Sequence, residues 1–439
     1  MIATPSDPGS PAPGPAHENA RFLSRAACWL AFASAVSILF SIAVSQIFLG
    51  LALAALLLSG DKLELPPIKL PLGLFVLGTV LALAFSGHPS EGLPQIRKLY
   101  VFAELVVVYS CIRDFRLIRW LFLTWAGFGS ITGIRGLVQF VEKIQHAHEL
   151  HRNDYSFYVS ERITGFMSHW NTFAAQEMFS LIMLGAFLFF GTRAAGRPSP
   201  SGSKSSGRTW VWIACGVLMS FAVLLAETRA VWVGLALAAL YLLWCYHRWL
   251  VLAIPVMALA AYFAAPPVLH ERFTSLYHPQ TVDSNAFRWV TWRTGLRMIE
   301  AHPFFGLGPE GPRYHFQEWI PADVPRPLPE GWYGHLHNIY LQYSAERGIP
   351  VMLILMWMLG KMLYDYWRGL RALPPGRSDA RFLLHGGIAV ILATLAEGFF
   401  EYNLGDSEVL TMFLVVVACA YRAVPMNKAR LVPDSSGSA

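Results

Sequence analysis

The segment His335-Leu336-His337-Asn338 stands directly before an apolar run that begins at Ile339. A spacing of two sets both imidazoles on one side of an extended segment, whereas on a helix they diverge. A histidine in this place can serve as a general base or hold an acceptor hydroxyl, because its ordinary pKa lies close to neutrality. Asn338 can donate an amide hydrogen bond to a ligand or cap the helix that follows. No metal is expected, since no Asp, Glu or Cys at helical spacing completes a usual ligand set around the two histidines. A second polar group, Glu227-Thr228-Arg229, interrupts two apolar runs. Opposite charges there are costly unless they face water or each other. They read either as an interfacial salt bridge or as a guanidinium fork, suited to phosphate oxygens, at the mouth of a cavity. Arg288 lies near the start of an amphipathic stretch, and Arg162, His169 and Asn171 form a third polar group. That third group can shape an entry cavity or lie at a membrane interface with Trp170 as anchor.

The elements that must position these residues are long apolar helices. The chain has 439 residues, of which 55% are hydrophobic and only 14% charged, and its mean hydropathy is +0.43. A soluble protein carries far more charge. The runs are of membrane-spanning length, and a transmembrane β-barrel would show short alternating strands instead. The expected fold is therefore all-α and polytopic, a single membrane domain over 1–439. About twelve spans are expected, over 26–43, 45–59, 69–87, 98–112, 117–137, 167–191, 209–226, 230–246, 249–264, 348–366, 382–399 and 407–424. Residues 1–25 are expected to form a cytoplasmic tail, disordered up to about Ala20 where Pro, Ala, Gly and Ser dominate. The loop Gly196–Gly207 has a flexible composition. The five cysteines fall in or beside apolar runs, with no metal-ligand pair among them, and are expected to be small buried packing residues.

The net charge of +6 is explained by topology rather than by nucleic acid. With a cytoplasmic N-terminus, Arg113, Arg116, Arg119, Arg193, Arg197, Arg377, Arg381 and Arg422 all fall on the inner side, as the positive-inside rule requires. The outer side then receives the segments 138–166 and 265–347. Within the larger one, 284–300 alternates Phe287, Val290 and Leu296 with Arg288, Arg293 and Arg297 at helical spacing. Gly306-Leu307-Gly308-Pro309 reads as an irregular turn and lacks the lysine of a nucleotide-binding loop. The polar groups at 162–171, 227–229, 288 and 335–338 thus share one membrane face. Arginines and a histidine gathered there suit an anionic, lipid-borne substrate.

These residues resemble the bacterial O-antigen ligases and the related O-antigen polymerases. His337-Asn338-Ile339-Tyr340-Leu341-Gln342, followed by Glu346-Arg347-Gly348-Ile349-Pro350, is similar to the family's His-Asn-x-x-Leu-Gln stretch and its Gly-Ile-Pro. Arg288 to Trp292, then His302-Pro303-Phe304-Phe305-Gly306-Leu307-Gly308-Pro309, resembles its Arg, Trp and His-Pro-x-x-Gly-x-Gly stretch. Thr228-Arg229 and the Arg162–Asn171 segment have counterparts as well. The chain departs at Val351, where family members often have glycine, and the change should affect packing more than chemistry. The resemblance implies a GT-C-like glycosyltransferase of the bacterial inner membrane with its site facing the periplasm. The donor is O-antigen polysaccharide on undecaprenyl pyrophosphate, and the acceptor is a sugar hydroxyl of lipid A–core. It implies a reaction without cofactor or metal; the residues suit such a transfer by direct displacement with inversion, with His337, Arg288 and Arg229 expected as the catalytic residues. Arg162, His335, Asn338, His169 and Asn171 are expected to bind substrate. Membrane lipids are expected partners and nucleic acid is not; the oligomeric state is left open and is compatible with a monomer. An O-antigen polymerase is the alternative. A polyprenyl-glycan transporter fits less well, because little charge is expected near the middle of the spans.

Overall fold

The computed structural model describes residues 15–192, 206–264, 266 and 284–425. Helices make up the regular structure of these residues, with no strand among them. In chain order they are α1 Pro15–Ser37, α2 Ile42–Ser59, α3 Lys69–Ala84, α4 Pro89–Arg97, α5 Ala103–Cys111, α6 Phe115–Glu149, α7 Asp154–Ser160, α8 Trp170–Phe190, α9 Ser206–Leu225, α10 Arg229–His247 and α11 Ala253–Ala264. After these come α12 Ser284–Ala301, α13 Gly311–Tyr314, α14 Phe316–Trp319, α15 Ile339–Ala372, α16 Asp379–Glu397 and α17 Ser407–Ala423.

Six helical runs among the described residues are long and apolar enough to cross a membrane, not twelve. The shortfall has local causes. The run expected at 98–112 is broken by a 3-10 turn at Lys98–Phe102 and leaves α5 only 9 residues. Helix α3 has 16 residues and α17 has 17, short of the roughly 20 that span a hydrocarbon core. The spans expected at 230–246 and 249–264 join across a 3-10 turn into one run, Arg229–Ala260. The expected loop 138–166 is mostly helical, because α6 runs on to Glu149 without a breaker. Helix α15 begins at Ile339 rather than 348, where Asn338 supplies an N-cap. The helix starting at Pro15 also takes up part of the expected tail. Residues 1–14 and most of the loop 196–207 lie outside the described residues.

Helices α8 and α16 form the centre: 72% and 67% of their apolar windows are buried, against 28% for α2. Nearly every residue of α17 from Val409 to Ala423 is buried as well. Peripheral helices instead carry large exposed apolar side chains, among them Leu58, Leu70, Trp244 and Leu353, as lipid contact requires. Small residues allow the closest approaches. A Cβ at Gly78 of α3 would stand 2.5 Å from Cγ2 of Val351, which is 4% exposed. The residue that departs from the family pattern is thus a packing residue between α3 and α15. The cysteines are less buried than expected: Cys419 is buried, Cys245 is exposed and the other three are intermediate. Cys28, Cys111 and Cys215 still pack against buried apolar side chains.

The centre also holds more polar groups than the sequence suggested. Glu104 is buried and accepts from Ser34 Oγ at 3.0 Å. Glu177, well inside α8, is buried and accepts from Thr132 of α6. Single acids in apolar runs barely lower average hydropathy, and only packing reveals the hydroxyl that donates to one oxygen of each.

The two ends of the bundle differ in chemistry. At one end, where α2, α5, α8, α15 and α17 finish, arginines bind helix ends and acids. Arg119 reaches Asp379 at 3.4 Å, Arg422 and Arg113 reach Glu64 at 2.8 and 3.2 Å, and Arg377 Nε donates to the Gly191 carbonyl at 2.9 Å. Cations at helix C-termini offset exposed carbonyl dipoles. The other end, where α8, α10, α15 and α17 begin, carries the residues singled out above. There α12 packs on the start of α15 over a small separate core of Val290, Met298, Phe316, Ile320, Val324, Leu336 and Ala345.

Candidate active site

The site is held by a buried carboxylate. Glu401, 7% exposed, lies in the turn between α16 and α17. Its oxygens stand 3.2 and 3.3 Å from His337 Nδ1, and Oε1 stands 3.6 Å from His335 Nε2. Asn171 Nδ2 donates to Oε2 at 2.8 Å. Burial alone would raise the pKa of this acid, but His337, His335 and Arg288 together hold it well below the usual carboxylate range. Glu401 is therefore ionised at neutral pH and accepts from His337 Nδ1–H. That tautomer leaves a lone pair on Nε2 of His337; the Trp332 carbonyl 3.5 Å away can only accept and so makes no hydrogen bond to it.

Several devices fix the two imidazoles. The His337 amide donates to His335 Nδ1 at 3.2 Å, and the ring centroids are 3.9 Å apart. The rings meet as expected, but not because the segment is extended: His337 has φ +50°, a conformation that costs a non-glycine residue of order 1–3 kcal/mol. Phe287 of α12 abuts His337 edge-on at 5.1 Å, and Trp332 abuts His335 at 4.9 Å. Burial pushes the pKa of His335 down to about 3, aided by His337, so His335 is neutral at neutral pH. Leu336 is clamped between them by its amide, which donates to Gln342 Oε1 at 2.7 Å. Asn338 Oδ1 accepts from Leu341 N at 3.0 Å, and its amide donates to the Phe399 carbonyl at 3.0 Å. Of its two expected roles, Asn338 fills the cap, and it joins the start of α15 to the turn that bears Glu401.

The other polar groups approach from three further elements. His169 caps α8, its Nδ1 accepting from Asn171 N at 3.2 Å, and its ring lies 4.2 Å from that of Trp170. Arg162 stands over the Trp170 ring at 5.0 Å. Thr228 Oγ1 donates to Asn171 Oδ1 at 3.4 Å, which ties the 227–229 turn to the Asn171–Glu401 pair. Glu227 in that turn is buried with φ +50°, and Arg229 opens α10. An arginine at a helix N-terminus opposes the helix dipole, so helix stability does not account for it. The arginines of α12 divide. Arg293 bonds Asp323 at 2.8 and 3.1 Å and Arg297 reaches the Ile320 carbonyl at 3.1 Å, so both fasten the following loop. Arg288 instead acts on Glu401.

The sequence reading named every polar partner of this centre except Glu401, which lies 64 residues from His337 in the chain. Its signal was an acid in the short gap between two apolar runs on the same face. With Glu401 in place, the ligand atoms of His335, His337 and Glu401 lie within 4.8 Å of one another. The acid thought to be missing for a metal set is thus supplied from a distant segment.

Residues 214–356 match the family described as O-antigen ligase. The match covers about a third of the chain, and over that segment the chain is similar to the family. Among curated proteins, none matches the chain significantly. The O-antigen ligase match runs from within α9 to the kinked part of α15 and includes Arg229, Arg288, His335, His337 and Asn338. Arg162, His169, Asn171 and Glu401 lie outside it, and folding brings His169, Asn171 and Glu401 to the same centre. The match supports an enzyme of the ligase or glycosyltransferase type and is consistent with glycan or lipid-linked substrates in general.

Proposed function

We propose that this protein is an O-antigen ligase. It transfers polysaccharide from undecaprenyl pyrophosphate to a sugar hydroxyl of lipid A–core at the periplasmic face of the inner membrane. The observation that carries this reading is the His337–Glu401 pair with Arg288 acting on Glu401; His337 and Arg288 belong to the family's matched region, and Glu401 joins them from outside it. Glu401 holds the proton of His337 on Nδ1, so Nε2 faces the acceptor hydroxyl as base, in the manner of a carboxylate-oriented histidine. As the hydroxyl oxygen bonds to the anomeric carbon, its proton passes to Nε2. The bond from that carbon to the pyrophosphate oxygen breaks, and the lipid pyrophosphate leaves with the electron pair. Direct displacement inverts the anomeric centre. Arg288 and Arg229 offset charge on the departing pyrophosphate, and loss of one such preorganised group costs on the order of 10²–10³ in rate. Arg162 and His169 flank the entry beside Trp170. Asn171, His335 and Asn338 hold the geometry.

The test is a reconstituted reaction with undecaprenyl-pyrophosphate glycan, purified lipid A–core and excess chelator. Glycan-modified lipid A–core is expected, and it should be lost in folded His337→Ala protein. Growth of the donor by whole repeat units, with lipid A–core untouched, would transfer the reading to a polymerase. Dependence on added divalent metal would move His335, His337 and Glu401 from proton transfer to metal ligation.

A further inference from the structure

A second cluster lies apart from this centre, between the α3–α4 segment and the loop that follows α12. His88, Glu91 and His315 bring their ligand atoms within 4.8 Å of one another. Glu91 Oε2 stands 3.1 Å from His315 Nε2. The His88 and His315 ring centroids are 5.0 Å apart. The other nitrogen of His315, Nδ1, is 3.0 Å from Glu318 Oε1. The three come from segments more than 200 residues apart, as the 224-residue separation of Glu91 and His315 shows.

We propose that His88, Glu91 and His315 form a binding site for one zinc-like divalent cation that fastens α4 to the outer loop. Four arguments support it. Two imidazoles and one carboxylate are a common zinc set that leaves a fourth position open to water. Metal bonds of about 2.0–2.1 Å in a tetrahedron put neighbouring ligand atoms about 3.3 Å apart, close to the observed spacing of Glu91 and His315. Glu318 on the far nitrogen of His315 supplies the carboxylate–histidine–metal arrangement that fixes the tautomer and ring plane of metal-binding histidines. The supporting backbone is also rigid. Gln95 donates to Glu310 at 2.8 Å, and a Cβ at Gly92 would come within 2.9 Å of the Pro309 carbonyl. The ligands thus sit on two segments already packed together, so binding need not reorganise them. Fastened there, the cation braces the loop whose far end carries His335 and His337.

The inference does not depend on the transfer reaction, and its test measures binding. Purified full-length protein in detergent is stripped with chelator and titrated with Zn2+ alone by calorimetry. The unfolding midpoint is recorded with and without the ion. His88→Ala, at an exposed position, should remove one equivalent of bound zinc and the associated rise in midpoint. Glu91→Gln should do the same while keeping its size. Glu318→Gln should weaken that equivalent by roughly 10–100-fold. His337→Ala should leave it in place. The proposal is overturned by wild-type protein that binds no zinc. It is equally overturned by unchanged binding in both His88→Ala and Glu91→Gln, or by loss of this equivalent in His337→Ala alone.

Discussion

At the scale of single residues, the site depends on a carboxylate that His337, His335, Asn171 and Arg288 share. Replacing Glu401 by Gln keeps the shape but removes the charge that orients His337. We expect kcat in the transfer assay to fall at least ~10²-fold with KM little changed, because the group acts on a proton-transfer step and not on binding. A comparable rise in KM would make Glu401 a substrate contact instead. His335 gives a separate pH signature. Its pKa lies at about 3 against an ordinary 6.5, so between these values the unfolded chain binds the proton that the folded one refuses. Stability should therefore rise with pH across this window and fall as the medium is acidified through it. His335→Gln should flatten the dependence of the unfolding midpoint on pH between about 3 and 6.5. An unchanged slope would assign it to other groups. The sequence made His335, His337, Arg288 and Asn171 legible because such residues are rare beside apolar runs. It hid Glu401 because local spacing cannot report a contact closed by packing of α16 and α17 against α8 and α15.

At the scale of elements, α15 joins the site to the bundle. Gly348 has φ +83°, and a Cβ there would stand 2.0 Å from the Phe304 carbonyl oxygen. The Ile349 amide donates to the Pro303 carbonyl at 2.8 Å, and Leu307 N donates to the Ala345 carbonyl at 2.8 Å. The turn after α12 is thus laid directly on the break in α15, which only glycine permits. Gly348→Ala should destabilise the protein by more than about 1 kcal/mol, read as a lowered unfolding midpoint. A midpoint equal to wild type would mean that the break is not tightly packed. Asn338→Ala loses a helix cap, a loss of about 0.5–2 kcal/mol, together with the bond to Phe399. Partial rescue of activity by Asn338→Asp, which keeps the capping oxygen, is expected and would separate the cap from a ligand contact. The His-Pro and Gly-Ile-Pro stretches were legible in the sequence as punctuation. Their mutual contact was not, since two irregular segments carry no periodicity that registers one on the other.

At the scale of the whole molecule, arginines bind helix ends at one end of the bundle, and the candidate site occupies the other. By the positive-inside rule the first end is expected to face the cytoplasm. A cysteine replacing the exposed Trp332, in protein lacking its native cysteines, should react with a membrane-impermeant thiol reagent once the periplasm is opened. One replacing Arg116 should react only after lysis. The reverse pattern would invert the orientation and remove the periplasmic site. The helical, membrane-embedded class was legible from hydropathy alone. The number of crossing helices was not, because hydropathy averages over 3-10 breaks, short helices and runs that fuse.

The turn that bears Glu401 also fixes when the site can exist. Asn171, His335 and His337 are all synthesised before it, and Glu401 is held between α16 and α17, the last two helices among the described residues. A chain still emerging from the ribosome therefore carries both imidazoles but no acid to orient them. Competence arrives only as α16 and α17 pack into the bundle.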